Sequence, residues 1–323
     1  MNNKFDETTK CMPQAVTRRA ALGKFGLCLA GTALTCFGLA APANAGSPTY
    51  TTVDFPGSVT TLAAGINSAG QIVGRYVDAT GANNGFILSG GVFTSLDIAG
   101  AEFTRPIGIN DQGDVVGHYN LLGQSKDHGF LLRGGVFAKI DVPDAEETVA
   151  GSINSHGEIA GYYRDAKKRW HGFMLRAGTF ATIDYPGANY TQVWRMNDSG
   201  QIVGRYAGRN GDFHLYRLSN GQFESFDFPG AIQTAPGAYS HLGGLNNLGD
   251  IVSAYASANP FQNLSNPNAY GNVHGLLLSG NLFTSVDPPD AVATIAFGVN
   301  DGGQIVGVYA DASGRVHGFL RTP

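Results

Sequence analysis

Residues 65–76 read Gly-Ile-Asn-Ser-Ala-Gly-Gln-Ile-Val-Gly-Arg-Tyr and contain the pattern on which the fold prediction depends. The step from Asn67 to Gly70 is typical of a tight hairpin turn, because glycine can take the positive φ that such a turn needs. Apolar residues precede the turn, and an Ile-Val-Gly-x-Tyr run follows it. The stretch therefore predicts two antiparallel strands, with strand A ending at the Asn and strand B beginning after the Gly.

This pattern recurs along the chain. Its Asn, with Gly three positions later, occurs at Asn67, Asn110, Asn154, Asn197, Asn246 and Asn300. A hydrophobic residue followed by Asp occurs at Asp54, Asp97, Asp141, Asp184, Asp227 and Asp287, with separations of 43, 44, 43, 43 and 60 residues. Each copy also contains His-Gly-Phe or a variant of it. The chain is therefore predicted to contain six copies of one unit, which start near residues 51, 94, 138, 181, 224 and 284.

Each copy is predicted to hold four strands. Strand C begins at His-Gly-Phe, and strand D carries alternating apolar residues into the recurring Asp, as in Val136–Asp141. A four-stranded unit of about 43 residues matches a blade of a β-propeller. Residues 50–55 supply a strand D before the first strand A, and the last copy ends with a strand C at residues 317–321. We therefore predict an all-β, six-bladed β-propeller over residues 46–323, closed by pairing of the N-terminal strand with the last blade.

Residues 1–45 differ from the repeats. Arg18 and Arg19 precede an apolar stretch from Phe25 to Ala41, and Ala-Asn-Ala follows at 43–45. This order is typical of an export signal with a small-residue cleavage site, and the paired arginines indicate the twin-arginine type. We expect cleavage after Ala45, a secreted or periplasmic protein, and no membrane span once the signal is removed. A retained membrane anchor is the alternative.

Cysteine usage and charge exclude several classes of function. All three cysteines lie in the N-terminal segment, at Cys11, Cys28 and Cys36, so residues 46–323 are expected to hold no disulfide and no thiolate metal site. The whole chain has a formal charge of −4, and residues 46–323, with 16 Lys/Arg and 23 Asp/Glu, carry −7. An acidic chain argues against a nucleic-acid partner, because phosphate binding requires a basic surface.

The copies resemble those of the extracellular HAF-repeat proteins. That family carries a Gly-Ile-Asn…Gly-x-Ile-Val-Gly half and a His-Ala-Phe half in each repeat. Residues 65–74 are similar to the first half, and residues 171–173, His-Gly-Phe, to the second with Gly in place of Ala. The resemblance covers residues 50–323, and the copy at residues 181–223 departs from it most. It implies an exported repeat protein and implies little about activity.

The recurring polar residues are interpreted as scaffold. Five histidines occupy one repeat position: His128, His171, His214, His274 and His317. Equivalent positions of a propeller are spread around the ring, so these side chains cannot converge on one metal ion. We expect each histidine to form a hydrogen bond within or between blades, with the recurring Asp as one partner. The sequence thus predicts no metal site and no cofactor.

Functional residues are expected where the repeat is interrupted, because functional variation concentrates on loops held by a rigid frame. The copy that begins near residue 224 has insertions in its D–A connection, residues 231–246, and its B–C connection, residues 255–274. Both connections emerge on one face of a four-stranded meander, and their Asn, Pro and aromatic residues suit carbohydrate or peptide contact. Trp194 and Arg195 replace small residues near the end of a strand A, where they could fill the channel or bind ligand. The candidate ligand-binding residues are Arg105, Tyr190, Trp194, Arg195, Tyr239, His241, Phe261 and Tyr270.

Three classes of function stay open. The first is an exported binding module for a carbohydrate, a peptide or a cell-envelope component. The second is a propeller-type hydrolase or lyase at the channel mouth, where Glu146, Glu147 and His241 could supply acid/base chemistry. The sequence holds no Gly-x-Ser-x-Gly elbow, His-Glu-x-x-His pair or phosphate-binding loop, so no catalytic residue is assigned. The third class is a purely structural repeat protein.

Overall fold

The computed structural model describes residues 47–208, 211–227, 233–234, 243–256 and 273–323. The predicted export signal, residues 1–45, lies outside these ranges. Nowhere in the described ranges is there a helix with the length and apolar character to span a membrane.

Twenty-five strands occupy most of the described residues, and they follow the repeats. Repeat 1 comprises β2 (Thr60–Ile66), β3 (Ile72–Val77), β4 (Asn83–Ser89) and β5 (Val92–Leu96). Repeat 2 comprises β6 (Ala101–Ile109), β7 (Val115–Leu121), β8 (Asp127–Arg133) and β9 (Val136–Ile140). Repeat 3 comprises β10 (Glu147–Ile153), β11 (Ile159–Arg164), β12 (Trp170–Arg176) and β13 (Thr179–Ile183).

The remaining strands make up three further repeats. Repeat 4 comprises β14 (Thr191–Met196), β15 (Ile202–Ala207), β16 (Phe213–Ser219) and β17 (Gln222–Phe226). Repeat 5 comprises β18 (Gln233–Thr234), β19 (Gly244–Leu245), β20 (Ile251–Ala256), β21 (Val273–Ser279) and β22 (Leu282–Val286). Repeat 6 comprises β23 (Ala293–Val299), β24 (Ile305–Ala310) and β25 (Val316–Thr322), and its sheet also contains β1 (Thr49–Val53).

Four of the sheets are separate blades. Repeats 3 and 4 and the β1-β25-β24-β23 set have four strands each, and repeat 5 has five because β18 and β19 both pair with β20. Repeats 1 and 2 form one eight-stranded sheet, in which a single parallel pair, Asn83 with Phe103, joins two antiparallel sets. The first strands of successive repeats contact one another, so strand A is innermost. The all-β class and the β-propeller arrangement are confirmed.

The core lies between neighbouring sheets and is built on the His-Gly-Phe position. The aromatic residue there is fully buried at Phe86, Phe130, Phe173, Tyr216 and Phe319. Burying one such side chain stabilises the fold by about 2–3 kcal/mol. Its cross-strand partner on strand B is Gly in these five copies, whereas in repeat 5 Ser253 faces the smaller Leu276. A Cβ on Gly74 would overlap the Leu62 carbonyl oxygen and lie 2.9 Å from ring atoms of Phe86, which explains the glycine.

The recurring histidines contact the recurring Asp residues, as the sequence predicted. Each Nδ1 contacts the Asp that ends the adjacent strand D of its own sheet: His128–Asp141 at 2.7 Å, His171–Asp184 at 2.9 Å, His214–Asp227 at 2.7 Å, His274–Asp287 at 3.0 Å and His317–Asp54 at 2.7 Å. The five pairs lie in different sheets, so they do not form one site. Within the described residues no cluster of three or more His, Cys, Asp or Glu side chains could hold a metal ion.

Candidate functional site at the channel and its mouth

Arg195 lies in the space between the innermost strands, which we call the channel. It stands where repeats 1, 2, 5 and 6 have glycine, at Gly65, Gly108, Gly244 and Gly298. Its guanidinium donates hydrogen bonds to five carbonyl oxygens: Gly151 at 2.7 Å, Trp194 at 3.0 Å, Ala64 at 3.0 Å, Ile107 at 3.2 Å and Phe297 at 3.4 Å. One side chain thus connects the inner strands of five repeats, its own included.

These carbonyls are available because five of the inner strands have a bulge at this level. The register with strand B shifts around Ala64, Ile107, Gly151, Trp194 and Phe297, which leaves these residues without a ladder partner. Buried carbonyls need a donor, and the four N–H groups of Nη1 and Nη2 serve these five carbonyls, with the two N–H groups of Nη2 shared among three of them. Burial lowers the pKa of Arg195 to about 10, so the group stays protonated at neutral pH and keeps all its donors.

The Arg195 guanidinium fills the channel, and we call it the plug. Trp194 is buried beside the plug, with 1% of its surface exposed. Its ring packs against Leu215 and Leu276, and a Cβ on Gly243 would lie 2.7 Å from it. Gly243 thus leaves space for the indole between repeats 4 and 5. Of the two roles that the sequence left open for Trp194 and Arg195, filling the channel is the one that this geometry matches.

A cavity of about 270 Å³ opens above the plug, and we call it the mouth cavity. Ala64, Ile107 and Phe297 line it, and their carbonyls hold Arg195, so the guanidinium separates the mouth cavity from the channel below. The polar and aromatic side chains that line it are Arg75, Arg105, His118, Asp127, Glu147, Tyr162 and Trp170. They come from repeats 1, 2 and 3, on the face of the D–A and B–C connections.

Two variable positions of the repeat supply most of these side chains. One is the x of Ile-Val-Gly-x-Tyr on strand B, which is Arg75, His118, Tyr162, Arg205, Ala254 and Val308 in the six repeats. The other is the first residue of strand C, directly before the His position. It is Asn83, Asp127, Trp170, Phe213, Val273 and Val316 in the six repeats. Repeats 1–4 thus carry polar and aromatic residues here, and repeats 5 and 6 carry aliphatic ones. The sequence analysis missed these residues, although their variation within a regular repeat was visible.

The aliphatic half borders a second cavity of about 320 Å³. Ile295, Val308 and Val316 line it, and it shares Leu62 and Arg75 with the mouth cavity. The opening therefore has a polar, aromatic side and an apolar side next to each other.

Arg105 is the predicted site residue that lies in the mouth cavity. Its Cζ atom lies 4.0 Å from the ring centroid of Phe103, which holds the guanidinium by a cation–π contact. Its Nε is buried and has no hydrogen-bond partner in the described part of the chain. Burial lowers the pKa of Arg105, and the negative charge of Asp127 opposes that effect.

Both carboxylates of the mouth cavity have partners. Asp127 accepts a hydrogen bond from Asn120 Nδ2 at 2.9 Å and lies 3.8 Å from His118 Nε2. Glu147 forms an ion pair with Arg164. Burial nevertheless raises the pKa of Glu147, because the cost of desolvating the carboxylate is the largest influence on it and the Arg164 charge only opposes it.

The aromatic side of the opening extends into repeat 4. Trp170 packs edge-on against Tyr162 with centroids 5.5 Å apart, and it lies 6.3 Å from Tyr190. Tyr190 Oη accepts a hydrogen bond from Arg205 Nη2 at 2.7 Å. Arg205 Nε in turn donates to Gln192 Oε1 at 3.0 Å. Tyr190 does not line the mouth cavity, but it packs near Trp170, which does.

The chain positions Tyr239, His241, Phe261 and Tyr270 lie outside the described residues. Glu146 is at the rim in ion pairs with Arg164 and Lys168. The described structure therefore brings together Arg105, Glu147 and, through Trp170, Tyr190.

No protein-family model and no curated protein matches the sequence. Solved structures similar to this chain include AofleA from Arthrobotrys oligospora, at 11% identity over 84% of this chain and 86% of that one, with a TM-score of 0.51. TolB from Acinetobacter baumannii is similar at 13% identity over 78% and 63%, with a TM-score of 0.51. The β-propeller domain of the Trilobed protease from Pyrococcus furiosus is similar at 9% identity over 81% and 95%, with a TM-score of 0.48. At these identities the likeness concerns the fold alone, and the arrangement of the sheets makes the chain a β-propeller by fold.

Proposed function

We propose that this chain is an exported binding module that takes a carbohydrate into the mouth cavity. The observation that carries the proposal is the combination, in one cavity of about 270 Å³, of the Trp170 and Tyr162 rings with the hydrogen-bonding groups of Arg105, His118 and Asp127. A sugar ring has an apolar C–H face and a polar rim. It therefore suits a site with an aromatic wall and a few well-placed polar groups.

The mouth cavity is also preorganised for such a ligand. The inner strands carry it, and the Arg195 plug holds five of them at its floor. Burial raises the pKa of the Tyr162 hydroxyl, which stays neutral and able to donate a hydrogen bond at physiological pH. A site on rigid strands loses little conformational entropy when a ligand binds.

The scaffold that we propose is a closed ring of six blades, in which the eight-stranded sheet counts as two. Pairing of β1 with β25, from Thr49↔Thr322 to Val53↔Gly318, supports this arrangement. So does the hydrogen bond from Asn300 Nδ2 to the carbonyl oxygen of Asn67, at 3.0 Å, which joins repeat 6 to repeat 1. A closed ring has no open sheet edge. Export by a twin-arginine-type signal, which moves folded proteins, and the resemblance to HAF-repeat proteins are part of the same proposal.

A propeller-type hydrolase or lyase is the second candidate, and one observation favours it. Burial raises the pKa of Glu147 within the mouth cavity, and a carboxyl group with a raised pKa in a cleft is a candidate general acid. An enzyme of this kind would shorten or modify polysaccharides during incubation, and the Glu147→Gln variant would not. Three expectations remain predictions. They are a peptide or cell-envelope ligand, a purely structural role, and ligand contacts from Tyr239, His241, Phe261 and Tyr270.

The test uses the full chain, expressed with its export signal and recovered after processing. Binding to an array of neutral and acidic glycans is compared for wild type, Trp170→Ala and Phe137→Ala, which removes an aromatic side chain from an outer strand. We expect glycan binding that falls at least tenfold in Trp170→Ala and is unchanged in Phe137→Ala. No glycan binding, or binding that is indifferent to Trp170→Ala, would overturn the proposal.

A further inference from the structure

We infer that the ligand of the mouth cavity is an acidic sugar whose carboxylate is bound by Arg105. This inference rests on the proposed carbohydrate-binding function and adds the charge of the ligand and the residue that recognises it.

The first support is the state of Arg105. Its Nε is buried without a hydrogen-bond partner in the described part of the chain, while the Phe103 ring fixes the guanidinium plane at 4.0 Å. A buried polar group without a partner costs free energy. The Nε edge of a guanidinium is one of those that bind a carboxylate through two parallel N–H bonds. Arg105 therefore presents an oriented and incompletely satisfied carboxylate-binding group.

The second support is that the carboxylates already in the cavity have other partners. Asp127 accepts from Asn120 and lies near His118, and Glu147 pairs with Arg164. Asp127 influences Arg105 through its charge, but no hydrogen bond or ion pair between them is present among the described side chains. The described residues thus supply no direct counter-ion for Arg105, and a ligand carboxylate would provide one.

The third support is that a cation and an aromatic ring line one cavity that is small enough for a single sugar residue to contact both. Arg105 and Trp170 line the same cavity, and its volume of about 270 Å³ is near the lower end of small-molecule sites, which begin at about 300 Å³. A hexuronate unit carries its carboxylate on the sugar ring, so one residue could stack on Trp170 and reach Arg105. A neutral sugar could offer Arg105 Nε a hydroxyl oxygen but no negative charge, so the guanidinium would stay without a counter-ion in a cavity from which the ligand has excluded water.

The experiment uses two probes that differ at their carboxyl groups, a charged trisaccharide of galacturonate and its neutral, fully methyl-esterified form. Affinities are measured by calorimetry at low ionic strength for wild type, Arg105→Gln and Arg105→Lys. Arg217→Gln, which removes a half-buried arginine of β16 that pairs with Glu224, two strands from the inner strand β14, is the matched control. We expect wild type and Arg217→Gln to bind the acid at least tenfold more tightly than the ester.

In Arg105→Gln we expect that preference to disappear, with both probes bound alike. Arg105→Lys keeps the charge but not the two-bond geometry, and we expect a reduced preference for the acid with an unchanged unfolding temperature. Equal affinity of wild type for acid and ester, or a full preference in Arg105→Gln, would overturn the inference while leaving carbohydrate binding intact. Binding of neither probe nor any other glycan would instead overturn the proposed function.

Discussion

Arg195 Nη2 donates a hydrogen bond to the carbonyl oxygen of Ala64, 3.0 Å away and 131 positions earlier in the chain. The contact exists because a bulge turns the Ala64 carbonyl out of the β2–β3 ladder and because repeat 4 has an arginine where most repeats have glycine. The same guanidinium binds the corresponding carbonyls of three other repeats and of its own strand. The channel is therefore closed by a side chain that also links the inner strands.

Replacement of Arg195 by methionine, which keeps much of the volume, should strongly destabilise the protein. Five buried carbonyls would lose their donor, and each unsatisfied group costs about 1–3 kcal/mol before water enters the channel. We expect a loss of about 3–5 kcal/mol in the free energy of unfolding, measured by denaturant titration. Arg217→Met on β16 should change it by less than about 0.5 kcal/mol. A loss below about 1 kcal/mol in Arg195→Met would contradict the role of the plug.

Closure of the ring can be tested with engineered cysteines, since the three natural cysteines all precede residue 46. Thr49 and Thr322 are Cα partners on β1 and β25, a spacing compatible with a disulfide. Thr49→Cys with Thr322→Cys should form a disulfide that closes nearly the whole domain into one loop, and it should stabilise the fold by about 4–5 kcal/mol.

The matched control is Arg176→Cys with Thr179→Cys, whose partners lie at one hairpin and close only a short loop. This pair should gain about 2 kcal/mol or less. Thiol titration and thermal unfolding report both quantities. Free thiols in the Thr49–Thr322 pair, together with full oxidation of the hairpin pair, would show that β1 and β25 do not stay paired.

The raised pKa of Glu147 gives stability a defined pH dependence. Because burial makes the folded state bind this proton more readily than the unfolded chain, its contribution is fully present below the unfolded-state pKa of about 4.3 and is lost as pH rises through the raised folded-state value. The charges of Arg164 and Lys168 oppose the shift, and those of Asp127 and Glu146 add to it. Wild type should therefore gain stability relative to Glu147→Gln as the pH falls from 8 to 4. Unfolding temperatures of both proteins across this range test the sign, which a constant or opposite difference would contradict.

Gly74→Ala should be among the most destabilising small substitutions on strand B. The added methyl group would overlap the Leu62 carbonyl oxygen and lie 2.9 Å from the Phe86 ring, so the strand pair must separate. We expect a loss of about 3 kcal/mol or more. Gly302→Ala, where the nearest atom is Asn300 Oδ1 at 3.4 Å, should be nearly neutral. Equal denaturation midpoints for the two variants would refute this explanation of the recurring glycine.

The repeat was predictable because its turns and pairs depend on local chemistry. Asn67 and Gly70 form the expected hairpin, with Gly70 at a φ of 77° and its N–H bonded to the Asn67 carbonyl. The pairing of His171 with Asp184 followed from both residues recurring with one period. Such features involve only neighbouring strands of one sheet, so the sequence of a single repeat is enough to predict them.

The site was less predictable, because it forms where several repeats meet. Arg195 was recognised as a departure from glycine, but its five acceptors depend on bulges that the sequence does not mark. Tyr162 and Trp170 occupy positions that differ between most copies, and only the packing of the blades shows that these positions converge on one cavity. Arg105 was selected for its place on a D–A connection, and the structure adds its unpaired Nε.

The mouth cavity can be tested most directly with the only two tryptophans of the chain, Trp170 and Trp194. In a Trp194→Phe variant the remaining indole, Trp170, lines the mouth cavity, whereas in Trp170→Phe the remaining indole, Trp194, is buried beside the plug. Titration with the galacturonate trisaccharide should quench or shift the fluorescence of Trp194→Phe in a saturable manner and leave that of Trp170→Phe unchanged. A saturable signal from Trp194 with none from Trp170 would contradict binding in the mouth cavity.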